Sequence, residues 1–536
     1  MIDEALEGLP EKAATETLTE YAEALSDWYI QRQLPTYRKQ RGQYFTPKAI
    51  SEFMLQQPEV VGKKERLRVL DPGAGAGIFE SACCEYVKSR EIRARISFDL
   101  YENCPDLLPL LEHNMQTCKR TMARDGFDIS YRIFRENFIL ANASNFAHET
   151  NNRNHDRRGK YDLVICNPPY HKLRKDSPEA IAMSKIVEGQ PNLYVLFMAV
   201  AAKLLKDDGQ LVILTPRSYC SGAYFSRFRK WFFSYLMPVR LHLFESRRLL
   251  ENDNVLQEMV ILSGIKNNHS PRNVVVSTSY REPKAAEGLT VRAVPIRSIV
   301  LERDGDIIIR IPTSGLDDYV AQQIDSLKCT LLDLGLRVST GPVVPFRATE
   351  HLLTKGLKNR DFAPLIWMQN ILDGRVIWPL PGSHKPFALR VSEKTERLRI
   401  SNGNYVFIKR FSSKEGKRRI NAGVLLKRWL PSKSISVENH VNYVHKVGGE
   451  LTGDEAYGLA QILNSRLYNR YFQISNGSTQ VDAYELNRMP MPSLGSIAEI
   501  GSAAKKLAWE DTSAREALVA SVLGVDKSIV SRLVGC

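Results

Sequence analysis

Leu67-Arg-Val-Leu-Asp-Pro-Gly-Ala-Gly-Ala-Gly77 decides the fold. Leu67 to Leu70 reads as a short buried strand. The glycines that follow let backbone approach a ligand closely, and a helix is expected from Ile78 to Ser89. Strand, glycine-rich turn and helix in that order are the context a nucleotide-cofactor loop needs. Glu102 ends the next apolar run, Ile96 to Tyr101. An acid there can accept hydrogen bonds from both hydroxyls of a ribose.

Outward from this turn, strand and helix patterns alternate. Helices are expected at Pro105–Arg124, Asn192–Leu205 (closed by Gly209 as its cap) and Tyr224–Leu236. Strands are expected at Ile129–Arg135, Asp162–Cys166, Gln210–Thr215, Val239–Phe244 and Glu258–Ser263. That alternation predicts an α/β fold with a mostly parallel sheet. Upstream, Glu11 to Gln40 reads as helical, and Thr46-Pro47 reads as a hydroxyl N-cap followed by proline at the first helical position. Asn142 to Lys160 is polar and reads as a loop. Near Lys266-Asn-Asn-His-Ser-Pro-Arg-Asn273 the pattern becomes irregular. The expected division is therefore 1–40 helical, 41–265 α/β, 266–299 linker, 300–495 a second α+β domain, and 496–536 a helical tail.

Tyr161-Asp-Leu-Val-Ile-Cys-Asn-Pro-Pro-Tyr170 is the second informative stretch. An apolar strand stops at two prolines, which cannot continue a ladder and which stiffen the chain past the strand end. An amide, a carbonyl and an aromatic ring then share one rigid lip. Such a lip suits a planar group that carries an exocyclic amine.

The chain has 536 residues, enough for two or more domains. It carries a net charge of +14. That balance favours a polyanionic partner, most often nucleic acid. Eight cysteines occur without a C-x-x-C pair, so neither a zinc site nor a disulfide framework is expected. No metal is expected elsewhere either. No apolar run is long enough to cross a bilayer, and the acidic N-terminus lacks a signal-peptide core. No membrane partner and a cytoplasmic, nucleoid-associated location are therefore expected.

Asp71-Pro72 argues against a dinucleotide, because a carboxylate there would crowd a pyrophosphate. It suits a cofactor with a cationic end, an ammonium or a sulfonium, and S-adenosyl-L-methionine has both. Gly42-Gln-Tyr-Phe-Thr-Pro47, Asp71-Pro-Gly-Ala-Gly-Ala-Gly77 and Asn167-Pro-Pro-Tyr170, in that order, resemble the γ-type N6-adenine DNA methyltransferases of type II restriction–modification systems. The resemblance covers about residues 40 to 265. It extends more loosely to Ile462–Phe472 and Leu486–Pro492.

The resemblance implies a Rossmann-like S-adenosylmethionine-dependent methyltransferase sheet with a C-terminal target-recognition domain. It implies that Thr46 binds the methionine carboxylate, helped by the helix N-terminus behind it. Asp71, Gly73 and Gly75 would wrap the methionine moiety, and Glu102 would hold the ribose. Asn137 stands where the family usually has Asp, against the cofactor adenine. Phe138 would flank that ring, with Phe197 a second candidate for the same pocket. The catalytic residues implied are Asn167, Pro168 and Tyr170. Asn167 Oδ1 and the Pro168 carbonyl would accept the two protons of an adenine N6 amine, and Tyr170 would stack on the base.

A base inside a duplex must be flipped out at a cost of roughly a few kcal/mol. Phosphate contacts would offset that cost. Lys409, Arg410, Lys414, Lys417, Arg418 and Arg419 are the basic candidates, and Gly341 with its neighbours and Asn476–Gln480 are candidate recognition loops. The implied partners are double-stranded DNA and, functionally, a restriction endonuclease that the methylation guards against. A monomer is expected. Three rivals stay open: methylation of an RNA amine or a protein glutamine, a bifunctional endonuclease–methyltransferase or modification subunit of a larger complex, and N4-cytosine methylation.

Overall fold

Six consecutive buried residues make Tyr161–Cys166 an interior strand, and the sheet is built around it. The computed structural model describes residues 8–146, 160–246, 258–266, 271–281, 283, 288–354, 362–412, 418–430, 432–477 and 480–535. The strands of the first unit are β1 Arg66–Asp71, β2 Arg95–Tyr101, β3 Ile129–Phe134, β4 Tyr161–Cys166, β5 Leu205–Pro216, β6 Met237–Phe244, β7 Met259–Ile265, β8 Asn273–Ser279 and β9 Thr290–Pro295. They pair in the order β3-β2-β1-β4-β5-β7-β6-β8-β9. The β3-β2-β1-β4-β5 half is parallel. β7 runs antiparallel between β5 and β6.

This topology positions the site. From β1 the chain goes one way to β2 and β3, then crosses to β4 and β5 on the other side. Ligands in such sheets bind outside the carboxyl ends of the strands where the order reverses. The glycine-rich turn leaves the end of β1 and the Asn-Pro-Pro-Tyr lip leaves the end of β4. These are adjacent strands, with Leu70 opposite Val164.

An acid inside β4 needs neutralising. Asp162 is 1% exposed. It accepts from Lys64 Nζ at 2.6 Å, the Arg68 N–H at 2.9 Å and Lys206 Nζ at 2.9 Å. Burial pushes its carboxyl up, and these partners outweigh burial and leave it below the usual range. The helix Leu193–Leu204 is buried on all sides, as its near-continuous apolar sequence requires. It ends where Leu205 begins β5. Gly209 therefore lies inside a strand and caps nothing.

The N-terminal helix Leu18–Arg32 starts at Thr17, whose hydroxyl and Glu20 form a capping box. Leu18 and Ala22 pack into the main core, and Tyr21, Leu25 and Tyr29 pack with Leu107 and Leu110. Residues 1–40 thus include a layer of the first unit. The segment expected as a linker, 266–299, holds β8 and β9 of the large sheet. The division into two compact units falls later, between Thr313 and Ser314. Residues 147–159, most of the expected polar loop, lie outside the described residues.

The second unit, Ser314–Cys536, holds a six-stranded and a five-stranded sheet. Its largest core joins the strands Leu336–Thr340, Tyr405–Lys409, Ala422–Leu425 and Val441–Lys446 to the helices Gly453–Asn464, Arg466–Ser475 and Leu494–Ala504. Ile497, Ile500 and Val519 belong to this core. The expected tail is therefore part of the domain. Among the described residues no helix is long and apolar enough to cross a membrane.

Candidate active site

A cavity of about 360 Å³ opens in the first unit at the carboxyl ends of β1 to β4. Each strand end contributes: Gly73 and Gly75 after β1, Glu102 after β2, Asn137 and Phe138 after β3, and Asn167 and Pro169 after β4. Tyr44 and Thr46 join from the segment before β1, and Phe197 from the helix after β4. Sequence motifs far apart in the chain are in contact here, since Asn167 Nδ2 donates to Thr46 Oγ1, 121 residues earlier, at 3.0 Å.

Asn167 is oriented by its own amide. Nδ2 also donates to the Tyr44 carbonyl at 2.9 Å, so Oδ1 is left as the acceptor. Oδ1 faces the Tyr170 hydroxyl, which also reaches the Leu214 carbonyl at 3.0 Å. Tyr170 is buried, and burial pushes its phenol pKa up. The Tyr44 ring lies stacked on it, centroids 5.6 Å apart and planes 18° apart. The face expected to receive a base is thus covered by Tyr44. Pro168 is buried behind the lip.

Gly42 lets the two segments meet. It has φ +64°, and a Cβ there would stand 2.9 Å from His171 Nδ1 and 3.0 Å from the Tyr170 nitrogen. Thr46 is not the N-cap. The helix runs Lys48–Leu55 with Pro47 at the cap position. Proline offers no side-chain acceptor, so Glu23 Oε1 takes the Lys48 N–H instead, at 2.7 Å. That helix end is therefore partly satisfied from within the protein.

Asp71 is fully buried and does not line the cavity. Its Oδ1 accepts from the Gly73 N–H at 2.9 Å and fixes the loop from behind. Oδ2 has no hydrogen-bond partner among the described residues. Burial, then the nearby Glu80 carboxyl, hold its pKa well above the usual carboxylate range. Burial pushes Glu80 itself up to about 8. Glu102 accepts from the Gly75 N–H at 3.0 Å and the Cys104 N–H at 2.7 Å, tying the β1 loop to the β2 loop. Burial raises its pKa too.

Asn137 is placed differently from its expected role. Its Oδ1 already accepts from the Ile139 and Leu140 N–H groups at 3.0 and 3.1 Å, as the N-cap of the helix Phe138–Asn142. Its Nδ2 donates to Glu179 Oε1 at 2.9 Å. An amide oxygen with both lone pairs engaged cannot also take an adenine amine. Phe138 does form a wall, edge-on to Tyr101 at 5.1 Å and 5.2 Å from Phe197. Glu179, His171, Leu173 and Leu193 also line the cavity. Sequence reasoning passed over them, since nothing in their spacing marks the segment after the lip as folding back over the opening.

The basic candidates in the second unit are less uniform than their run in sequence suggests. Arg419 is 1% exposed and donates to Ser412 Oγ and Asn476 Oδ1, so it acts within the core. Arg410 pairs with Asp482 at 3.5 Å. Lys409 is half-buried, and desolvation lowers its pKa. Arg418 lies 3.9 Å from Glu516. Lys414 and Lys417 lie outside the described residues. Gly341 is buried against the backbone of Val437 and Glu438, where any side chain would collide. Asn476 is buried and donates to Glu485. Both therefore serve packing, and Ser478 and Thr479 lie outside the described residues.

Residues 93–249 match the Eco57I restriction-modification methylase family. The chain is 34% identical over 470 residues to the Type II methyltransferase M.PstI of Providencia stuartii, covering 87% of this chain and 90% of that protein. It is 32% identical over 467 residues to the Type II methyltransferase M.BsuBI of Bacillus subtilis, again covering 87% and 90%. Among solved structures, the Type IIL restriction-modification enzyme MmeI in complex with DNA aligns with a TM-score of 0.50 and 12% identity, covering 91% of this chain and 75% of that one. This last likeness is one of fold.

Proposed function

We propose, on the premise that this chain belongs to the type II restriction–modification methyltransferases, that it transfers a methyl group from S-adenosyl-L-methionine to adenine N6 in duplex DNA. The observation that carries the chemistry is the anchored Asn167 amide in the cavity wall, its NH₂ committed to Tyr44 and Thr46 and its oxygen left as an acceptor that Tyr170 occupies.

The residues present fit the cofactor. A volume of about 360 Å³ is lined by carboxylates, close-approach glycines and the Phe138–Phe197 pair. Behind the loop a buried Asp71 oxygen has no partner among the described residues. Glu102 suits ribose hydroxyls, the two phenylalanines suit a planar base, and Thr46 suits the carboxylate end. When bound, the cofactor supplies an electrophilic methyl group on a sulfonium.

The protein's part is orientation. An exocyclic adenine amine is a weak nucleophile because its lone pair is delocalised into the ring. Asn167 Oδ1 accepts a hydrogen bond from one amine N–H and the Pro168 carbonyl from the other, and the surplus proton on N6 is released to solvent once the methyl group has arrived. Drawing both protons out of the ring plane localises the lone pair towards the methyl group. Positioned partners of this kind supply much of the rate. Two movements must accompany base entry: the Tyr170 hydroxyl releases Asn167 Oδ1, and Tyr44 leaves the Tyr170 face so that the base can stack there. The base reaches the lip by flipping out of the duplex. In a restriction–modification setting the product protects host DNA from a partner endonuclease.

Transfer of label from methyl-labelled S-adenosyl-L-methionine to duplex DNA, to RNA and to a protein with a methylatable glutamine (a translation release factor), followed by nucleoside analysis of the nucleic acids, tests this reading. The expected result is N6-methyladenine in duplex DNA. Label in RNA or protein, or N4-methylcytosine in DNA, would overturn it.

A further inference from the structure

We infer that Glu179 is the residue that reads the 6-amino group of the cofactor's adenine. The inference rests on the reading of the cavity as an S-adenosyl-L-methionine site. The aromatic end of the cavity is formed by Phe138 and Phe197. A purine lodged there would bring an exocyclic amine into a partly desolvated position. A buried donor left without an acceptor is destabilising, so an acceptor is required.

Asn137 precedes Phe138 and is the obvious candidate, but its oxygen is used twice as a helix cap. Its Nδ2 instead donates to Glu179 Oε1 at 2.9 Å. Glu179 lines the same cavity, in the first turn of the helix Pro178–Ala182, which Ser177 caps. Asn137 thus acts as a bracket. It closes one helix with its oxygen and holds a carboxylate from another segment with its nitrogen. Glu179 Oε2 takes no hydrogen bond among the described residues, and a carboxylate oxygen is an acceptor only. The arrangement selects an amine over a carbonyl at the purine 6-position, because O6 would meet a second acceptor. Glu136 is the rival carboxylate in the cavity wall, but it is exposed and no comparable bracket holds it.

The test is isothermal titration of the full chain with S-adenosylhomocysteine and with its 6-oxo counterpart, S-inosylhomocysteine. The wild type is expected to prefer the 6-amino ligand. Glu179→Ala should weaken that ligand about ten- to hundred-fold, the scale of a hydrogen bond to a charged group, and leave the 6-oxo ligand bound no more weakly than by the wild type. Glu179→Gln, whose amide can donate to O6, should shift preference towards the 6-oxo ligand. Equal losses for both ligands in Glu179→Ala, or an unchanged ratio in both variants, would overturn the role of Glu179. So would loss of discrimination in Glu136→Ala with discrimination kept in Glu179→Ala. Failure of the wild type to bind either ligand would instead overturn the cofactor reading itself.

Discussion

At Asn167 one side chain has two separable duties. Its NH₂ clamps Tyr44 and Thr46, and its oxygen is the acceptor we propose for the reaction. Asn167→Asp keeps an acceptor and deletes both donors. It is expected to lower kcat by at least about 10²-fold, as loss of orientation does, and to weaken cofactor binding because Thr46 is released. Single-turnover rates and a cofactor titration on the same variant check both effects. Glu80 offers a test by pH. Burial moves its carboxyl from 4.5 to about 8. The folded protein therefore holds a proton that the unfolded chain releases. The stability this contributes is full below about pH 4.5 and is lost as pH rises towards 8. Glu80→Gln removes that dependence, so its melting temperature should gain on the wild type more at about pH 9 than at about pH 5. An equal difference at both pH values would show that Glu80 is not the titrating group. At this scale much of the site was legible. Gly73, Gly75, Glu102, Phe138 and Asn167 line one cavity as their motifs implied. Asn137 misled because a residue type does not reveal which of its atoms a helix cap will consume, and Thr46 misled only as an N-cap, because the helix begins one residue later than Thr46-Pro47 suggests.

The decisive element is β4, whose interior holds an acid. Asp162 bonds two lysines that each keep more than a third of their side chain in solvent, together with the Arg68 N–H. Asp162→Ala should cost about 1–3 kcal/mol, chiefly because that N–H loses its partner while the lysines turn to water. Chemical denaturation would show it as a lower midpoint with an unchanged slope. The strands β1 to β7 were readable because each is a bounded apolar run. β9 was not, since it is largely exposed along its length and edge strands carry little hydrophobic signal. β8, mostly buried inside the sheet, was missed because the polar run 266–273 that leads into it read as a linker. The start of β5 was hidden for another reason. Lys206, Asp207, Asp208 and Gly209 read as the close of the preceding helix, capped by Gly209, yet β5 pairs Leu205 with Tyr161 and resumes at Gln210 opposite Leu163, across a register shift.

At the scale of the whole molecule, the first unit holds the cavity and the second holds the basic candidates for DNA contact. Charge runs are visible in sequence, but their partners are not, which is why Arg419 looked like a surface residue and is buried. Arg418 remains half-buried beside Glu516. If it meets a phosphate, Arg418→Ala should reduce the slope of log K against log salt by about 0.9 and leave S-adenosylhomocysteine affinity unchanged. An unaltered slope would return Arg418 to a structural role.

The most direct test of the central claim is to sequence single molecules of host DNA from cells expressing the intact chain or its Asn167→Ala variant. N6-methyladenine at one recurrent sequence with the intact chain, and none with the variant, is the expected result. Methylation that persists in the variant, or that falls on cytosine, would contradict the assignment of Asn167 as the group that prepares an extruded adenine for transfer.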